Sequence, residues 1–340
     1  MYKNILVCLD NSDQSNWGAD IGLSIGKKYG SILTGYHVYA AALHKRRFTQ
    51  MESTLPPKYQ KAEELNRQRD IHGTLISKGL QIIAESYTKA FELKCNEAGV
   101  ACSGKATEGK NYLEITKELQ TGAYDLAILG FQGLGAAGSS RIGSVCERVA
   151  RRARTDILVV KEKRPVEGHI AVAVDGSLNS YAGVRLAVEL GKAFGAGVEA
   201  ISVYDSGFHY TAFRSLAGIL SKEASRLFKF KEQEMLHEEI IDHGLAKIYQ
   251  GYLDTAKDIA EKDGLTIKTT LIDGKPFDRI LKHIETANPS LLIMGRAGMH
   301  AVKELDIGSN TENCLRQSKC NILITSRDYA STEGQTGLFR

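Results

Sequence analysis

The sequence predicts two tandem α/β domains, each a doubly wound parallel sheet. Three observations carry this. One segment pattern recurs at a constant offset, short apolar runs alternate with helical patterns in each half, and glycine clusters fall where strands end and helices begin. The offset is read from Asn4-Ile-Leu-Val-Cys-Leu-Asp10-Asn-Ser12 and His169-Ile-Ala-Val-Ala-Val-Asp175-Gly-Ser177, which stand 165 residues apart. The same shift carries Gly26 to Gly191, Gly30 to Gly195, Val38-Tyr39 to Val203-Tyr204, Gly109-Lys110 to Gly274-Lys275 and Glu147 to Glu312. One shift serving from first strand to last is the mark of a duplicated domain.

The elements follow in order. In the first half, apolar runs predict strands at 4–9, 32–39, 100–106, 124–129 and 156–160, and periodic patterns predict helices near 14–29, 72–98, 111–121 and 143–153. Runs such as Leu126-Ala-Ile-Leu129 and Leu291-Leu-Ile-Met294 are apolar throughout, as strands covered on both faces should be. Strand and helix in alternation predict parallel pairing through right-handed crossovers. The first domain is placed at 1–161, a charged linker with proline and glycine at 162–168, the second domain at 169–326 and a loose tail at 327–340. Residues 41–70, and their counterparts near 206–236, are longer than a usual strand-to-helix connection. They read either as a partly helical solvated flap or as a lid or partner surface.

Composition excludes several classes. In 340 residues, 43% are hydrophobic and 25% charged, and the net charge is +4, too mild a surplus to point to nucleic acid. No window approaches a membrane span, and the N-terminus runs straight into a strand with no signal-peptide pattern. The six cysteines form no CxxC pair, so free thiols in a reducing, cytoplasmic setting are expected.

The pattern that carries chemistry is Gly130-x2-Gly133-x9-Gly143-Ser144, repeated as Gly295-x2-Gly298-x9-Gly308-Ser309. Each copy begins at a strand's carboxyl end, where ligands bind in doubly wound sheets, and finishes at a helix N-terminus with free N–H donors and a positive dipole end. Glycine admits an anion close to the backbone, and the serine either adds a donor or caps the helix. Turn-making alone is the competing account, and two copies at one spacing weaken it. Asp10 and Asp175 end the first strand of each half. They are placed either to accept a hydrogen bond from a ligand or to cap the next helix, and both roles can coexist.

These residues, with Gly143-Ser-Val-Cys-Glu-Arg-Val149, Gly308-Ser-Asn-Thr-Glu-Asn-Cys314 and the closing strands Ile157-Leu-Val-Val160 and Ile322-Leu-Ile-Thr325, resemble the tandem universal stress proteins, in the branch that binds ATP. The resemblance covers nearly all of both halves except the flaps and tail. It implies a Rossmann-like fold of the adenine nucleotide alpha hydrolase type and a part in the stress response. It implies ATP, with or without Mg2+, bound with Asp10 and Val38 on the adenine side and Gly130, Gly133, Gly143 and Ser144 by the ribose and phosphates. In the second half it selects Asp175, Val203, Gly295, Gly298, Gly308 and Ser309. It also implies pairing of last strands, here as a pseudo-dimer within one chain, with association of two chains left open. Inside the loops, Arg141 stands where the second half has Asp306, and Arg141, Lys303 and Arg296 are the candidate basic residues, so unequal affinities are expected.

Other constellations carry less. Neither a GxxxxGK[ST] loop nor a Ser–His–Asp set is present. Gly274-Lys275-Pro276 reads as well as a helix start as a phosphate lysine. His72, His237, His243 and His283 lack ligand spacing, and Arg148, Arg151, Arg152 and Arg154 suit a helix C-terminus. Three functions compete: a nucleotide-binding sensor or regulator with an unknown protein partner, a slow ATPase or nucleotidyl-transfer enzyme, and a scaffold without nucleotide whose flaps bind protein or an apolar ligand.

Overall fold

The computed structural model describes residues 1–135, 141–207, 243–299 and 307–327, with the isolated positions 215, 219, 229 and 232. The chain divides into two compact units, Met1–Lys163 and Arg164–Arg340.

In the first unit β1 (Asn4–Cys8) leads to α1 (Asp13–Tyr29) and β2 (Ile32–Tyr39). Helix α2 (Ala41–Met51), two short 3-10 turns and the long α3 (Ala62–Ala98) follow. Then come β3 (Cys102–Glu108), α4 (Asn111–Gln120), β4 (Leu126–Gly130), α5 (Ser144–Arg152) and β5 (Asp156–Val160). Its strands pair in parallel in the order β3-β2-β1-β4-β5. The second unit holds β6 (His169–Ala173), α6 (Leu178–Phe194), β7 (Gly197–Tyr204), α7 (His243–Lys262), β8 (Lys268–Asp273), α8 (Pro276–Ala287), β9 (Leu291–Gly295), α9 (Ser309–Gln317) and β10 (Asn321–Thr325). Its order is β8-β7-β6-β9-β10, again all parallel. α6, β6, β7, β9, α9 and β10 each start and end 165 residues after their first-unit counterparts.

This order creates the site. The chain leaves β1 for β2 on one side and returns to β4 on the other, so the loops at the carboxyl ends of β1 and β4 diverge and open a crevice. The core under it is the expected one. Ile5, Leu6, Leu126, Ile128, Ile157 and Leu158 are almost wholly buried in the first unit, as are Ile170, Leu190, Ile201, Leu292 and Leu323 in the second.

Three expectations shift. The helix placed at 72–98 begins ten residues earlier, so the end of the 41–70 flap is its first turns. Ile71, Leu75 and Ile82 stay half or more exposed there, and with no buried stripe the apolar pattern gave no start. The strand placed at 100–106 runs 102–108, because buried Val100 packs against α1 at Gly26 ahead of the strand, while the strand itself is mostly exposed and polar. The strand placed at 124–129 runs 126–130. The counterpart flap near 206–236 and the tail lie almost entirely outside the described residues.

The 41–70 flap is partly helical. Arg69 grips Glu52 through two hydrogen bonds of 2.6 Å, and His72 stacks on Phe48 at 4.4 Å. None of the six cysteines is joined in a disulfide. No helix among the described residues is long and apolar enough to cross a membrane.

Candidate functional site

Ser12 and Ser177 cap α1 and α6, each accepting from the N–H three residues on. Each serine is held by the aspartate before it. Asp10 Oδ1 accepts from Ser12 N at 3.0 Å and Ser12 Oγ at 2.5 Å, and Asp175 Oδ1 accepts from Ser177 N at 3.1 Å and Ser177 Oγ at 2.6 Å. The residue between must turn left-handed. Asn11 has φ 62°, and Gly176 has φ 82°. So one aspartate oxygen builds the turn in each unit, and the other looks across the crevice. A Cβ on Gly133 would come 2.5 Å from Asp10 Oδ2, and one on Gly298 would collide with Asp175 Oδ2. In the second unit Oδ2 also accepts from Met299 N at 2.9 Å.

The remaining glycines divide by what stands beside them. Gly130 and Gly295 lie against the first turn of α1 and α6, where a Cβ would meet Ser15 N at 3.1 Å or Asn179 Cβ at 2.9 Å. Their small size is required by the strand meeting the helix. Gly143 and Gly308 are the N-caps of α5 and α9, in extended backbone and without a side-chain cap. Each donates its N–H at 2.8 Å to the turn after the preceding strand, to Phe131 O and Arg296 O. A Cβ on either would lie 3.8 Å from the amide nitrogen of Gly133 or Gly298. The first helical N–H groups with a partner are those of Glu147 and Glu312, which bond Gly143 O and Gly308 O. The amides of Ser144–Cys146 and Ser309–Thr311 therefore face the loop as donors with the dipole behind them.

In the second unit these groups enclose a cavity of about 260 Å3. It brings together Asp175, Val203, Gly295, Gly298, Gly308 and Ser309, all six of the residues the sequence nominated there. One end is the start of α9, with Ser309, Asn310 and Thr311; Thr311 Oγ1 is tied to Gly295 O at 2.8 Å. The remaining walls are apolar and aromatic, with Ile201, Val203, Pro276, Ile280, Tyr249 and Tyr252. The sequence reading missed the tyrosines of α7. Their signal was an aromatic pair three apart, one turn ahead of the buried stripe Leu253, Ala256 and Ile259. Burial raises the pKa of Tyr249, and the neighbouring Tyr252 and Asp175 add to it.

In the first unit Asp10 lies against Gly133, Gly143 lies by Gly133 and Phe131, and Val38 is buried two residues beyond the β1-paired Tyr36. Ser144 opens α5. The crevice floor carries thiols where the second unit has Ala173 and Thr311. Burial pushes Cys8 far up, with Asp10 and Cys146 adding to it, and pushes Cys146 up to about 12.

Of the basic candidates, Arg296 is buried and donates Nε to Ser326 Oγ at 2.8 Å. Arg141 is exposed, and its carbonyl accepts from Gln132 Nε2 at 2.6 Å. Lys303 and Asp306 lie outside the described residues. Lys275 is the N-cap of α8 with Pro276 behind it, so that motif is a helix start. Arg148 and Arg152 stack over Tyr112 at 4.7 and 5.6 Å.

A model of the universal stress protein family matches residues 1–161 and again 168–326. The chain belongs to the universal stress protein family. A universal stress protein of Methanocaldococcus jannaschii is 26% identical over 158 residues, 46% of this chain and 81% of that protein. One of Mycobacterium tuberculosis is 20% identical over 271 residues, 78% of each chain, so the likeness extends through both units. The crystal structure of a universal stress protein from Archaeoglobus fulgidus has a TM-score of 0.60 at 16% identity, covering 95% of this chain and 97% of its own, which places this universal stress protein in the same fold.

Proposed function

We propose that this universal stress protein binds an adenine nucleotide, ATP, in each unit and acts as a regulator in the stress response through a protein partner. The observation that carries this is the second-unit cavity, where one space is lined by the start of α9, by Asp175 as an acceptor and by the apolar and aromatic side chains of Val203 and Tyr249. A nucleotide is the common metabolite with phosphate at one end and a flat apolar group at the other, joined by a hydroxyl-bearing sugar. The donors fit phosphate. They are backbone amides, and the cradle between Gly298 and Gly308 is one that a Cβ would fill. By the 165-residue shift the first unit offers Asp10, Val38, Gly130, Gly133, Gly143 and Ser144 to a second nucleotide.

Binding is favoured over turnover by the titratable groups at hand. Asp175, Tyr249 and Tyr252 are the ones that line the described cavity, and Asp175 already accepts three hydrogen bonds. That is a poor start for a general base. Among the described residues no three His, Cys, Asp or Glu side chains form a metal cluster. A Mg2+ ion would then be carried in by the nucleotide's own phosphates.

The test is to denature the purified chain and identify released small molecules by mass spectrometry, then to titrate nucleotide-free protein with ATP and Mg2+. Adenine nucleotide at up to two per chain, with negligible phosphate release over many binding lifetimes, is the expected result. No retained nucleotide and no binding at millimolar ATP would overturn the reading.

A further inference from the structure

The geometry points to Tyr249 as a specificity-determining residue that gives the second unit an aromatic face for a ligand's flat base. This rests on the nucleotide reading above. Tyr249 lines the same cavity as the first residues of α9. Its ring is set between two others, 5.3 Å from Tyr252 at 57° and 6.2 Å from Tyr204 at 48°. Tyr252 is itself pinned, since its ring lies where a Cβ of Gly176 would fall. A ring held against two neighbouring rings loses little freedom when a ligand stacks on it, and base–aromatic stacking needs only one open π face. Val203, Pro276 and Ile280 supply apolar surface to the same cavity.

The duplication supplies an internal comparison. At the shifted position the first unit has Ala84, fully buried, so no ring arises there. Its counterpart of Tyr252 is Tyr87, which stands edge-on to His37 with centroids 5.1 Å apart at 89°. His37 replaces Ser202, and both bond the carbonyl that ends the first strand, His37 Nδ1 with Leu9 O at 2.5 Å and Ser202 Oγ with Val174 O at 2.8 Å. Tyr36, in place of Ile201, is 2% exposed and belongs to the core. The two units thus share the glycine loop and the helix start behind it and differ in the side chains at 249 and 84. Alanine at 249 is a residue the same fold accommodates in the other unit, so Tyr249→Ala preserves the frame.

The experiment uses the full chain and two probes, ATP and inorganic tripolyphosphate, with Tyr249→Ala and Tyr249→Phe. Second-unit occupancy is read by photolabelling with 8-azido-ATP against each competitor, followed by peptide mapping of residues 243–262. Tyr249→Ala should weaken ATP at this site about tenfold or more. Tyr249→Phe should leave ATP unchanged, and neither variant should alter tripolyphosphate. Unchanged ATP affinity in Tyr249→Ala overturns this inference and leaves the nucleotide reading standing. Equal losses in the alanine and phenylalanine variants overturn it by assigning the effect to the hydroxyl, and parallel loss of tripolyphosphate overturns it by assigning the effect to the whole cavity. Absence of ATP binding in the unaltered chain overturns both.

Discussion

Replacing Gly308 with alanine adds one methyl group at the point where the anion end of the second-unit cavity narrows. The added Cβ meets Arg296 O at 3.4 Å, Gly298 N at 3.8 Å and Ala297 Cα at 4.0 Å. These are ordinary contacts, and Gly308 has φ −64° and ψ 143°, which alanine adopts without strain. The fold therefore accepts the change, whereas a phosphate oxygen approaching the Gly298 amide or the first amides of α9 does not. A hydrogen bond to a charged group contributes about 1.5–3 kcal/mol net. Loss of two such bonds costs about 3 kcal/mol at the low end, or about a hundredfold in Kd.

Isothermal titration with ATP measures it. The variant should lose the second-unit site by about that factor, keep the first-unit site and keep the thermal midpoint of the nucleotide-free chain. Two sites at unaltered affinity in a variant that folds normally would refute the argument that backbone amides at this bend hold the phosphates. Gly143→Ala is the harsher form of the same test. Its Cβ would stand 3.1 Å from Phe131 O, so a backbone shift adds to the effect.

Three further outcomes follow from particular bonds. Asp175→Ala leaves Ser177 N–H, Ser177 Oγ–H and Met299 N–H without their acceptor. It should destabilise the chain by about 2 kcal/mol in urea unfolding, with Asp175→Asn falling between; an unchanged midpoint would show that the latch contributes nothing. Buried Glu199 takes bonds from Thr270 at 2.6 Å and Lys268 at 2.9 Å, and His169 and His283 each stand 3.2 Å from it. Burial alone would raise its pKa, yet the bonds from Thr270 and Lys268 and the nearby His283 hold it at about 2. A lowered carboxylate contributes stability present above its unfolded pKa and lost as pH falls through its folded one. The native chain should thus lose about 3 kcal/mol more than Glu199→Gln between pH 4.5 and 2, and parallel curves would contradict this. Burial keeps the thiols of Cys8 and Cys146 protonated, so Ellman's reagent at mildly alkaline pH should modify them far more slowly in the native chain than in urea; equal rates would place both thiols at the surface.

The frame was legible in the sequence because duplication shows the same pattern twice, and because buried parallel strands are apolar throughout. The glycine spacing marked the crevice for a physical reason at three positions: Gly133 and Gly298 are constrained by the aspartate and Gly143 by the Phe131 carbonyl, while Gly308 has room for a Cβ. What stayed hidden lies between elements. Glu199 gathers partners from β6, β8 and α8, none close to it in sequence. Tyr249 belongs to a helix that reaches the cavity only after the chain has crossed the sheet. The tie from Asp10 to Ser12 is local, and it corrects the capping expectation: Ser12 and Ser177 are the N-caps, and the aspartates hold those serines instead of capping the helix themselves. The sequence had no means of showing that Oδ1 of that carboxylate holds the serine while Oδ2 faces Gly133 or Gly298.

That division bears on how the two sites differ. In both units Oδ1 is committed to the serine turn, leaving Oδ2 for a ligand donor. In the second unit Oδ2 also accepts the Met299 amide, whereas among the described residues Leu134, the counterpart of Met299, makes no such bond to Asp10. A carboxylate oxygen has two lone-pair sites, so a ligand hydroxyl shares Asp175 with the loop but has Asp10 Oδ2 to itself. The bond also fixes the second loop before ligand arrives, which lowers the ordering cost of binding there. With Tyr249 at the position where the first unit has Ala84, the two proposed sites differ at the acceptor and at this ring. ATP titration should therefore resolve two classes of site on one chain, and removing Met299 N–H by N-methylation or a proline at 299 should draw them together. A single class in the native chain would mean that these differences cancel, and the argument from shared oxygens would fail.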